Sequence, residues 1–325
     1  MRDAFAPFAV NRRTSALCGA LALFLTASPV WADLAFITNQ SSEDLSVIDL
    51  ETGAVLRTTR IGGAPAGVAA APDGAAVYVI SPESKTLSVL DADGAGIARS
   101  FALPGGPFGI AVHPSGAPVY VTDWYGERLM IVDPIEGLVG EIATGASPSG
   151  VAVTPDGAWV LTADRDSDQV TIADARDGAV RVRVPVGERP FGVTVDADGR
   201  RAYTADVGTN TVTVIDISSG EVLGQVPTGD RPYAVALAAG HGFVTNQYAD
   251  TVTVFDLESL APIKTLDVGE YPEGIATTLD GRRVIVANWF SNTVSVIDAA
   301  SLDVTEEIDV GDGPRAFGQF IAPRR

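Results

Sequence analysis

One proline recurs through this chain at an almost constant interval. Pro65, Pro107, Pro148, Pro190, Pro232, Pro272 and Pro314 lie 40 to 42 residues apart. Each closes a Gly-x-x-Pro segment, except that Pro104 takes the glycine position in the second copy. A stricter marker runs in step with it: Asp49, Asp91, Asp133, Asp174, Asp216, Asp256 and Asp298 each end an apolar, largely β-branched run such as Val212-Thr213-Val214-Ile215. Such runs alternate as strands do, and Pro72-Asp73-Gly74, Pro155-Asp156-Gly157 and Asp198-Gly199 supply tight turns between them. A period of about 40 residues holding four short strands is the mark of a propeller blade, whose sheet buries its faces only by stacking on its neighbours. The chain therefore reads as all-β, a seven-bladed β-propeller of four-stranded antiparallel blades spanning residues 33–325.

The two ends of the chain are out of phase with the repeat. Leu34 opens a strand of the second type, whereas Pro314-Arg315-Ala316-Phe317-Gly318-Gln319-Phe320-Ile321 resembles an inner strand that lacks a blade. The fragments complement one another, so the ring is expected to close by pairing N- and C-terminal strands in one blade, which hides edges that would otherwise invite aggregation.

Ahead of the repeat, Arg2, Arg12 and Arg13 precede an apolar run from Ala16 to Leu25 and then Ala27-Ser28-Pro29-Val30-Trp31-Ala32. This is the pattern of an export signal over residues 1–32. The run falls short of the roughly 20 residues that span a bilayer, so a periplasmic or secreted protein without membrane insertion is expected. Arg12-Arg13 also resembles a twin-arginine signal. The sole cysteine, Cys18, lies within this leader, which leaves no thiol for a disulfide, a metal or catalysis. A formal charge of -19 repels phosphate backbones and disfavours a nucleic-acid partner.

Tyr120-Val121-Thr122-Asp123, Phe36-Ile37-Thr38-Asn39, Phe243-Val244-Thr245-Asn246 and Ile285-Val286-Ala287-Asn288 resemble the YVTN repeat, and the resemblance covers essentially the whole mature chain. It implies a YncE-like periplasmic propeller. That scaffold also serves surface-layer proteins, lactonase-like relatives and accessory proteins of periplasmic quinoprotein oxidation systems, so the resemblance specifies fold more than activity.

Candidate site residues come from positions where equivalent copies diverge. The residue after the repeat proline is Ala66, Phe108, Ser149, Phe191, Tyr233, Glu273 or Arg315, at the mouth of the inner strand. The loops joining second and third strands begin at Asn39, Ser81, Asp123, Asp164, Asp206, Asn246 and Asn288, and carry Trp124, Tyr125, Arg165, Tyr248, Trp289 and Phe290. The Asn and Asp residues at the loop starts are expected to cap their own turns. Phe108, Trp124, Tyr125, Arg165, Phe191, Tyr233, Glu273, Trp289 and Arg315 form the expected ligand or partner face, following the general pattern of aromatic walls with a few polar groups. Phe108, Phe191 and Tyr233 also suit a simpler role, plugging the channel.

No catalytic residue, metal ligand or cofactor is assigned. A triad needs a histidine positioned by an acid, and His113 and His241, the only histidines, fall in or beside turns between inner and second strands on the opposite face, where each replaces an ordinary turn residue of the repeat. The seven repeated Asp residues lie one per blade and cannot converge on one ion. A non-catalytic binding or accessory protein, monomeric, is thus the expected function. A calcium-dependent lactonase-like hydrolase using Asp123, Asp164, Asp206 or Glu273, and a structural envelope protein, are the alternatives.

Overall fold

Strand by strand, exposure rises from the axis of the molecule to its rim. The second and third strands of the first blade, Asp33–Asn39 and Asp44–Asp49, are buried almost throughout, whereas its outer strand, Ala54–Arg60, is largely exposed. Continuous burial explains the unbroken apolar runs, because both faces of these strands meet neighbouring sheets. The computed structural model describes Met1 and residues 33–324. The expected export signal, apart from Met1, lies outside the described residues.

Seven four-stranded sheets make up the described chain. Blades 2 to 7 each run outward in chain order, beginning at inner strands Gly67–Ala70, Pro107–Val112, Pro148–Val153, Pro190–Val195, Pro232–Ala238 and Pro272–Thr277. All pairings between named strands are antiparallel. Core clusters straddle adjacent blades: Tyr120 of blade 3 packs with Val151, Val160 and Ala173 of blade 4, and Tyr203 of blade 5 lies 6.2 Å from Phe255 of blade 6.

Blade 1 is composite, as the phase of the repeat predicts. Ile321–Pro323 pairs with Asp33–Ala35 as its inner strand, and Phe36 N–H donates to Phe320 O at 2.9 Å. The inner strand is shorter than the sequence suggests. Ala316 (φ 46°) and Gly318 (φ 135°) turn the backbone away from extended geometry, and before Ile321 only single bridges remain, from Pro314 to Asn39 and from Phe317 to Gly67. Glycine is required at 318, where a Cβ would stand 2.3 Å from Val68 O.

Two families of carboxylates and amides hold the blades together. At the end of the third strand, Asp49, Asp133, Asp174, Asp216, Asp256 and Asp298 accept backbone N–H groups two or three residues further on. They are turn residues. The Asn and Asp residues at the end of the second strand do more than cap turns. They are fully buried and reach seven residues forward to a hydroxyl on the third strand: Asp164 to Thr171 at 2.5 Å, Asp206 to Thr213 at 2.5 Å, Asn246 to Thr253 at 2.9 Å, Asn288 to Ser295 at 2.8 Å. They also lie against the repeat glycine, where a Cβ at Gly229 or Gly269 would come within 2.7 Å of Asn246 or Asn288. In blade 3, where Pro104 replaces that glycine, Gly105 at φ 68° takes over the close approach to Asp123.

Two outcomes test this framework. Deleting residues 310–325 removes the inner strand of blade 1 together with Phe320, a fully buried side chain worth about 3–5 kcal/mol. The melting temperature is expected to fall by more than about 10 °C, and wild-type melting would disprove closure by the C-terminus. Burial raises the Asp206 carboxyl from 3.8 to about 6 against the pull of its threonine hydrogen bonds. Asp206 therefore favours the folded state as pH falls from about 6 toward 4 and opposes it when ionised above 6. Asp206→Asn, which copies Asn246 and Asn288, should stabilise the protein by about 1–3 kcal/mol at pH 7.5, with the gain vanishing near pH 4. An equal loss at both values, read by urea unfolding, would contradict this.

Candidate functional site

The Gly-x-x-Pro segments and the loops between second and third strands lie at the same end of the ring, because in six of the seven blades a buried Asn or Asp holds one against the other. Two sets of positions meet there. Residues following the repeat proline stand at the axis, and residues following the buried Asn or Asp surround them.

From the axial set, Phe108, Phe191 and Tyr233 come together around Phe317. Phe191 lies 4.4 Å from Tyr233, and Phe317 is 5.4, 5.3 and 5.4 Å from Phe108, Phe191 and Tyr233. Edge and tilted contacts at these distances are the favourable aromatic geometries. This block divides the channel. On the opposite side of it lies an apolar well of about 390 Å³ between inner strands, bordered by Phe317, Ile110, Val193 and Val235. Ser149 and Ala66 complete the set but are buried, and the Ser149 hydroxyl donates to Phe191 O at 2.8 Å.

Beside the aromatics lies an ion pair. Arg315 Nε is 2.7 Å from Glu273 Oε2, with the glutamate side chain 2% exposed and the arginine side chain 20%. Gln247 donates to Glu273 Oε1 at 2.7 Å, while Arg315 donates to Gln40 at 3.0 Å and to the Tyr233 hydroxyl at 3.3 Å. Burial pushes the Glu273 carboxyl above its ordinary range, opposed chiefly by the Arg315 charge. Burial likewise works against the Arg315 charge, yet Tyr233 and Glu273 hold its proton more tightly than usual.

Above the block opens a pocket of about 400 Å³ lined by Lys85, Phe108, Trp124, Tyr125, Phe191 and Arg315, among others. Trp124 stands 5.5 Å from Phe108, and the Arg165 guanidinium lies over its ring at 5.6 Å. Tyr125 is 80% exposed at the rim. Trp289 is not part of this pocket. It joins Tyr248, Tyr271 and Phe290 in a second aromatic group, 4.6 Å from Phe290 and 5.8 Å from Tyr271, beside an open cleft of about 410 Å³ edged by Asp230, Asp250 and Glu270.

Sequence reasoning missed Phe317, Gln40, Gln247 and Lys85. Phe317 carried a signal, since the equivalent residue of the other six copies is Val68, Ile110, Val151, Val193, Val235 or Ile275. Gln40 and Gln247 occupy the same position after the buried amide as Trp124, Arg165 and Trp289.

Asp123, Asp164 and Asp206 are each engaged within their own blade, and Glu273 faces Arg315. Among the described residues, no group of three or more His, Cys, Asp or Glu side chains gathers as a metal site. His113 contacts Ser115 and Gly157 O across a turn between first and second strands.

A family model described as YNCE-like beta-propeller matches residues 8–324. The chain belongs to this family. No curated protein matches it. Solved structures similar to this YncE-like propeller include Kuenenia stuttgartiensis hydrazine synthase (18% identity, 78% of this chain and 89% of that one, TM-score 0.70). A functionally unknown protein from Desulfotomaculum acetoxidans DSM 771 is similar too (16% identity, 86% and 98%, TM-score 0.74). So is dihydro-heme d1 dehydrogenase NirN in complex with DHE (16% identity, 86% and 74%, TM-score 0.67). At these identities the likeness concerns the fold of the YncE-like propeller.

The ion pair yields a third test. Arg315→Met leaves Glu273 buried without its partner and should cost the YncE-like propeller about 3 kcal/mol at pH 7.5. Because burial raises the Glu273 carboxyl, this loss should shrink as pH falls and the group takes up a proton. Adding Glu273→Gln should restore more than half of the stability at pH 7.5. A double variant no more stable than the single one would show that the pair acts through packing alone.

Proposed function

We propose that this protein is an exported, non-catalytic binding propeller that holds a small ligand in the loop-face pocket between Phe108, Trp124, Phe191 and Arg315. The observation that carries the reading is the pocket itself, a concave aromatic chamber of about 400 Å³ with one guanidinium at its floor. This is the size and lining of small-molecule sites. Nothing in the chamber resembles a nucleophile with its base, and both histidines lie away from its lining.

The export pattern of residues 1–32 supports a periplasmic or secreted location. Among the described residues, no helix is long and apolar enough to cross a membrane. A role beside a periplasmic oxidation system is supported by the family resemblance and by propellers of similar fold in a hydrazine synthase and a dihydro-heme d1 dehydrogenase.

Native mass spectrometry of the mature protein recovered from its own cells is the test. A retained small molecule is expected, and Trp124→Ala with Phe191→Ala should remove it while the ring still melts cooperatively. Retention unchanged in that double variant would place binding elsewhere.

A further inference from the structure

The hydrogen-bonding character of the pocket narrows what it accepts. Its walls are aromatic, and its floor presents the guanidinium of Arg315. An arginine carries five N–H donors and no acceptor. Here Nε faces Glu273 and Tyr233, Nη1 reaches Gln40, and Nη2 has only a long 3.4 Å contact with Glu273 Oε1. Donor capacity is left over on the terminal nitrogens, and one fifth of the side chain is exposed. The matching acceptors do not face the pocket, because Glu273 is 2% exposed and lies outside the lining. A ligand group reaching the floor therefore meets donors and must itself be an acceptor.

A second cation stands at the rim. Lys85 is one of two lysines in the chain, and its ammonium forms no ion pair among the described residues. Its backbone sits at φ 55°, the position at which Asp168, Asn210, Asp250 and Asn292 tie their side chains to the next blade. Lysine cannot accept that hydrogen bond, which leaves its side chain free at the pocket. Glu83 shares the rim, so the cationic bias lies between Lys85 and the floor rather than over the whole opening.

Resting on the pocket reading above, we infer that the ligand class is an aromatic carboxylate: a flat apolar body packed against the wall that Phe108 and Trp124 form together, with its carboxylate on Arg315 and within reach of Lys85. A charge-assisted hydrogen bond discriminates an anion from its neutral isostere by about tenfold or more.

The experiment is calorimetric titration of the mature protein with 2-naphthoate, 2-naphthamide and 2-naphthylmethylammonium. Naphthoate should bind at least about tenfold more tightly than the amide. Lys85→Ala should weaken naphthoate severalfold without changing the amide. The charge-balanced Arg315→Gln, Glu273→Gln variant should reduce the preference to the severalfold share left by Lys85 while melting cooperatively. Equal affinity for naphthoate and naphthamide would overturn the ligand class and leave the pocket reading standing, as would tightest binding of the ammonium. No binding of any probe to the wild-type protein would overturn both.

Discussion

Blades 1 and 4 to 7 each depend on one buried side chain at the end of the second strand. Asn39, Asp164, Asp206, Asn246 or Asn288 ties the second strand to the third through a hydroxyl seven residues on, and packs against the repeat glycine that opens its own blade. Because it grips both, it sets the distance between the residue after the repeat proline and the residue after itself. These are the two positions from which the loop-face pocket is made. Amide and carboxylate are interchangeable in shape at this position but not in cost. An amide donates to the hydroxyls, whereas a carboxylate must be desolvated and can only accept from them.

A second device links blades to one another, and its distribution is uneven. Asp168, Asn210, Asp250 and Asn292 each accept the N–H of the residue before the next repeat proline, clasping blades 4 to 5, 5 to 6, 6 to 7 and 7 to 1. Glu43, Lys85 and Glu127 hold the same left-handed position without such a bond. The pocket opens on this unclasped side, between the loops of blades 2 and 3. The link that is missing there leaves the Lys85 side chain at the rim of the pocket rather than tied to the next blade.

Much of this architecture is legible in the sequence because the fold imposes identical demands seven times. The repeat proline and the strand-ending Asp mark turns that every blade must make, and the phase of the termini reveals the composite blade. The site is less legible, because it is built where copies differ and the partners are distant in sequence. Arg315 and Glu273 could be placed on one face, but that they pair, and that Gln40 and Gln247 complete the network, depends on closure bringing blade 1 beside blade 7. Trp289 shows the converse. It shares the repeat position of Trp124, yet packs with Tyr271 and Phe290 in a separate group. Phe317 is less legible because it lies three residues beyond the proline, inside an apolar run whose other copies hold Val or Ile, so an aromatic there reads as one more core residue.

The ion pair at the axis is not explained by stability. Desolvating two charges consumes most of what their attraction returns, and a well-packed apolar pair would serve the ring as well or better. What an apolar pair would not supply is orientation. Arg315 belongs to the closing segment of blade 1 and Glu273 to blade 7, so the bond fixes the last strand against its neighbour while Gln40 and Tyr233 hold the guanidinium from other directions. A planar group held at several points has little freedom to turn, and Arg315 lines the chamber with its guanidinium 5.7 Å over the Phe108 ring. The aromatic block beneath keeps that chamber closed at its base, so the donors face a space with apolar walls rather than an open channel. In such surroundings a hydrogen bond to an anion is stronger than in water. The residues that close the ring are therefore also those that, under the proposed reading, form the floor of the binding pocket.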